Sequence, residues 1–67
     1  MTHLDYRAAL AALGLSQAGA ARLLGVDERT SRRWAGDERD VPEPVARFLR
    51  LMQAKRITPA QVHKALD

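Results

Sequence analysis

The chain has 67 residues, and a chain of this length buries only about 60% of its unfolded surface, which excludes a deep active-site cavity and leaves room for one domain, residues 1–67. Cysteine is absent, so disulfides, thiolate metal clusters and cysteine nucleophiles are excluded together, while 46% hydrophobic residues argue against disorder. Apolar stretches are short and interrupted by charge, so no membrane span is expected. Residues Met1 to Asp5 lack the basic-then-apolar pattern of a signal peptide. A cytoplasmic protein follows as the expectation. Eleven Lys and Arg against eight Asp and Glu give +3, and only Lys55 and Lys64 of the eleven are Lys. Guanidinium forks match phosphate oxygens and guanine edges as ammonium does not, so the balance points towards a polyanion. A composition rich in Arg, Ala and Leu for other reasons would give the same count, so position has to decide.

No segment alternates as a half-buried strand does, and the chain divides into helices with start and stop signals. Thr2 caps a first helix with Asp5 in its first turn; Tyr6, Ala9, Leu10 and Leu13 form its apolar stripe, and Gly14 is a left-handed stop. Ser16 caps a second helix, Gln17 to Leu24, ended by Gly25. Asp27 caps a third, Glu28 to Trp34 or Ala35, stopped at Gly36. Residues Gly36 to Glu43 are acidic and read as a solvated loop. A fourth helix runs from Pro44 to Ala54 with Val45, Phe48, Leu49 and Met52 as its apolar face. Thr58-Pro59-Ala60-Gln61 is a capping box that opens a fifth helix carrying Val62, Ala65 and Leu66. The fold class is therefore all-α, a compact five-helix bundle.

The segment from Gln17 to Gly36 carries the functional signal. Ala18, Gly19, Ala20 and Ala21 allow a close helix crossing, and Leu24-Gly25-Val26 makes a tight corner, as in a helix-turn-helix unit. On a wheel of about 100° per residue, Trp34 and Ser31 share the inward side of the third helix. Arg29, Arg32 and Arg33 share the opposite side, with Glu28 at its edge. Arg29 and Arg33 are an i,i+4 like-charge pair, which costs an isolated helix about 0.2–0.5 kcal/mol. A helix lying along a phosphate-walled groove has use for such a pair. A solvated charged surface is the plainer reading of the same arginines, and pairing with Arg32 or Arg29 is the plainer reading of Glu28.

Leu15-Ser16-Gln17, the small Ala21, Leu24-Gly25-Val26, and Thr30 followed by Trp34 resemble the helix-turn-helix of the phage repressor/Cro class of transcriptional regulators. With flanking helices the resemblance covers Leu4 to Met52, and the unit itself residues 17–36. It implies a phage-repressor-like DNA-binding domain that takes double-stranded DNA. Base-edge contacts fall on Glu28, Arg29 and Arg33, and phosphate contacts on Gln17, Thr30 and Arg32. Ser31 departs from the pattern, which has Val or Ile there; a hydroxyl at that position either bonds back to the Asp27 carbonyl or stands partly exposed. Small stand-alone regulators of this kind occur in phages and prophages, anti-CRISPR-associated regulators among them.

Arginine readout favours guanine, and Glu28 suits cytosine N4. Few such contacts fit on one copy, so a homodimeric repressor on an inverted repeat is expected, dimerising through the C-terminal helices (residues 44–67) by Leu51, Ile57, Val62 and Leu66. An antitoxin that autorepresses a toxin–antitoxin pair is the nearest alternative, and would co-purify with its toxin. A helical protein-interaction module is another, and would show no salt-dependent DNA binding. No catalytic residue, cofactor or metal is expected: His3 and His63 are isolated, Ser16 has no His–Asp pair, and Asp37, Glu38 and Asp40 lack an EF-hand pattern. Arg47, Arg50, Lys55, Arg56 and Lys64 either extend the basic surface or form the solvent face of the last helices.

Overall fold

The computed structural model describes all residues, 1–67. It contains α-helices and no strand: α1 His3–Ala12, α2 Gln17–Leu24, α3 Glu28–Ala35, α4 Glu43–Ala54 and α5 Pro59–Leu66. The helix starts follow local chemistry. Asp5 N–H donates to Thr2 Oγ1 at 3.0 Å while Thr2 N–H donates to Asp5 Oδ2 at 3.1 Å, a reciprocal capping box. The Thr2 backbone N–H, and after it the Thr2 side chain, hold the Asp5 carboxyl below its ordinary value. Ser16 Oγ accepts from Gly19 N–H at 3.0 Å. Thr58 and Gln61 form a second box, with bonds of 3.1 and 2.8 Å.

Two helix starts differ in detail from the sequence reading. Asp27 holds the extended backbone of an N-cap, but its side chain makes no capping bond; position alone starts α3. Helix α4 begins at Glu43 rather than Pro44, with Pro42 before it, because a proline in the first turn sacrifices no helical N–H bond. The left-handed stops fall at Gly14 (φ 69°) and Gly25 (φ 72°), whereas after α3 the left-handed residue is Asp37 (φ 63°), not Gly36.

The buried residues form two clusters. The larger joins Tyr6, Ala9 and Leu10 of α1, Ala20 of α2, Trp34 and Ala35 of α3, and Ala46 and Leu49 of α4. Val41 is also buried in it, so the acidic loop is not wholly solvated: one apolar side chain anchors it, and His3 Nδ1 lies 3.6 Å from Asp37 Oδ1. Tyr6 and Trp34 meet edge to face at 5.7 Å and 83°, a favoured aromatic geometry. The smaller cluster joins Leu23, Met52 and Val62, with Leu13, Leu15, Phe48 and Ile57 packed against it. On α4 the deepest residues are Ala46, Leu49 and Met52, and Val45 and Phe48 are only half-buried; the small Ala46 lets α4 sit close to its neighbours.

No helix is long and apolar enough to cross a membrane.

Candidate nucleic-acid interface

Helices α2 and α3 pack against each other across the turn Gly25–Asp27, and α3 also packs on α1. Val26 N–H donates to the Ala21 carbonyl at 3.0 Å, and Gly25 N–H donates to the same carbonyl, so the corner closes on α2 itself. Ala20 and Ala21 are buried, as a close contact between these helices requires. The turn, not the loop length alone, sets how α3 is presented.

The inward side of α3 is Ser31, Trp34 and Ala35, all buried. Arg29 and Arg32 are exposed on the other side, and Arg33 is half-buried there, its carbonyl accepting from Glu38 N–H at 2.9 Å. None of the three arginines is among the buried residues. Arg32 Nη2 donates to Glu28 Oε2 at 3.3 Å, so in the free protein Glu28 pairs along the helix with Arg32 and not with Arg29. Both partners are largely exposed, and such pairs contribute about 0–1 kcal/mol. Thr30 is half-buried at the edge of the face.

Ser31 follows neither course expected for it. It is 0% exposed, and its hydroxyl turns away from the Asp27 carbonyl to lie 2.6 Å from the Tyr6 hydroxyl and to donate to Gln17 Oε1 at 2.6 Å. The Asp27 carbonyl already accepts Thr30 N–H and Ser31 N–H at 3.0 and 3.2 Å, which leaves it little capacity for a third donor. A polar chain thus runs from α1 through α3 to the first residue of α2. Burial pushes the Tyr6 phenol above its ordinary value, and the Ser31 bond opposes this in part.

Gln17 and Arg32 line one open cavity of about 310 Å³ together with Arg7, Ala35 and Gly36. Arg7, on α1, is absent from the sequence-derived site. Its only signal was its place beside Tyr6, and nothing local reveals that this part of α1 lies against α2 and α3. Among the C-terminal residues expected at a dimer contact, Val62 is a correction: it is buried in the chain's own smaller cluster, against Leu23 and Met52. Ile57 is half-buried beside them, and Leu51 and Leu66 stand 51% and 74% exposed. Arg47 Nε and Arg50 Nη1 lie 3.6 and 3.7 Å from Glu43 Oε1, so part of the basic α4 surface is locally neutralised. Asp37, Glu38 and Asp40 belong to no side-chain group able to hold a metal.

No protein-family model matches this chain, and no curated protein or solved structure matches it either.

Proposed function

We infer that this protein binds double-stranded DNA sequence-specifically, as a homodimeric transcriptional repressor in the cytoplasm that acts by occluding its operator. The observation that carries this reading is the sidedness of α3. Ser31, Trp34 and Ala35 anchor one side in the core, while Arg29, Arg32 and Arg33 lie on the other. The α2–turn–α3 arrangement and the likeness of its residues to the phage repressor/Cro class support it further. In this reading α3 enters the major groove. Arg29 and Arg33 take guanine O6 and N7, and Glu28 exchanges its weak pairing with Arg32 for cytosine N4. Arg32 is then released to a phosphate, and Gln17 and Thr30 contact the backbone at either side.

Homodimerisation follows from the small number of base contacts on one α3; of the exposed large apolar side chains, Leu4, Leu51 and Leu66, the latter two lie on the C-terminal helices and are free for it. The chain measures 31 × 22 × 19 Å, so two copies side by side are compatible with reading helices about 34 Å apart, one turn of DNA. The test is to sequence duplexes retained from a random pool. An inverted repeat with G·C pairs in each half is expected, and Arg33→Ala should cost about 1–3 kcal/mol and relax one base pair per half-site. Retention without sequence enrichment, or none at all, contradicts the reading.

A further inference from the structure

The chain Tyr6–Ser31–Gln17 uses one buried proton to set the orientation of a half-exposed amide. Tyr6 and Ser31 are both 0% exposed, and the phenol's hydrogen-bond partner is Ser31 Oγ. A neutral phenol buried in this way needs an acceptor for its proton, so Tyr6 donates and Ser31 Oγ accepts. The one hydroxyl proton of Ser31 is then committed to Gln17 Oε1. A flipped Gln17 amide would present Nε2 to Ser31 and strand that proton, because the nearby Asp27 carbonyl already accepts two backbone N–H groups. The amide is therefore held with its oxygen inward and its NH2 outward. The cavity that Gln17 borders has Arg7 and Arg32 as its other polar side chains; every polar side-chain group left to face it is a donor.

We propose that Tyr6 and Ser31 are positioning residues that aim the Gln17 amide NH2 at a phosphodiester of duplex DNA seated in this cavity, with Arg7 of α1 supplying charge to it beside Arg32. This rests on the DNA-binding reading above and extends the contact surface beyond α2 and α3. The chemistry suits a phosphodiester because Arg7, Gln17 and Arg32 line the cavity from three helices and no carboxylate residue lines it; Arg32 must first leave its exposed pairing with Glu28.

The experiment measures affinity for a short mixed-sequence duplex at several salt concentrations. The proteins are wild type, Arg7→Gln, Gln17→Ala, Gln17→Glu, Tyr6→Phe and the double variant Tyr6→Phe/Gln17→Ala. Arg7→Gln should reduce the salt slope by about 0.9, the value for one phosphate contact. Tyr6→Phe should weaken binding about threefold to tenfold, as for the loss of one hydrogen bond, without changing the slope, and should have no further effect once Gln17 is Ala. Gln17→Glu keeps the acceptor for Ser31 but turns an anion outward, so it should bind more weakly than Gln17→Ala. A purely structural Tyr6 would carry its loss into both backgrounds. That result, or a wild-type slope in Arg7→Gln, overturns the proposal while wild-type binding stands. Wild-type protein that shows no salt-dependent duplex binding overturns the DNA-binding reading and this proposal with it. If Tyr6→Phe fails to fold, Gln17→Glu and the exposed Arg7→Gln still decide.

Discussion

Ser31 sits where an aliphatic side chain would fill the interior face of α3, and its neighbours explain why a hydroxyl is stable there. Tyr6 gives it a donor and Gln17 an acceptor, and no buried side-chain polar atom lacks a partner. Ser31→Ala should therefore cost about 1–3 kcal/mol, the penalty for leaving the Tyr6 hydroxyl buried and unpaired. Combining it with Tyr6→Phe should recover much of that loss, because both partners are then apolar; denaturant unfolding of the single and double variants checks this, and additive losses would contradict it. Tyr6 also gives a pH signature. Its folded value is raised above 10.0, so the stability it contributes is fully present below 10.0 and lost as pH rises through the folded value. Tyr6 is the only tyrosine, so phenolate absorbance reports it alone. The absorbance should rise only above the ordinary value and together with loss of the folded Trp34 fluorescence. A phenolate forming at its ordinary value in an intact fold would mean that the hydroxyl is solvated. Both side chains were legible from sequence as inward-facing. Their meeting was not, because the register between α1 and α3 is decided by packing rather than by any local pattern.

At the scale of elements, the helix boundaries were the most legible part of the chain, since caps and stops act across three or four residues. Thr2, Ser16 and Thr58 each make the bond their position implies. Asp27 does not, so Ser16→Ala should destabilise by about 1 kcal/mol and Asp27→Ala by less, with only its charge near the helix start to lose. Equal losses would show that Asp27 caps in solution. Gly25→Ala isolates backbone geometry: nothing lies within 4 Å of the added Cβ, but φ is 72°, so the cost should be about 1–2 kcal/mol from the left-handed conformation alone. An unchanged unfolding midpoint would show that the corner relaxes to another shape. The sidedness of α3 was legible for the same reason as the caps, because a wheel needs only local helicity and one anchor, Trp34. Val41 was hidden by its acidic surroundings, and Arg7 by its distance in sequence from the residues it joins.

For the whole molecule, two small clusters rather than one core join the helices, and the second ties α5 to α2 through Leu23, Met52 and Val62. This consumes Val62 and half-buries Ile57, so Leu51 and Leu66 are the most exposed residues of the proposed dimer contact. Leu51→Glu/Leu66→Glu should leave the monomer folded and abolish self-association in sedimentation; an unchanged assembly would move the contact elsewhere. The sequence could not separate interior from interface here, since both call for the same apolar residues on a short amphipathic helix. The DNA-binding reading meets its most direct test in the salt dependence of duplex affinity, measured on wild type and on Arg29→Ala/Arg33→Ala. The expected result is a linear fall of log affinity with log salt at a slope of about −0.9 per phosphate engaged, with the double variant losing affinity and sequence preference together. A wild-type affinity that is absent or flat with salt, or a double variant indistinguishable from wild type, would contradict it.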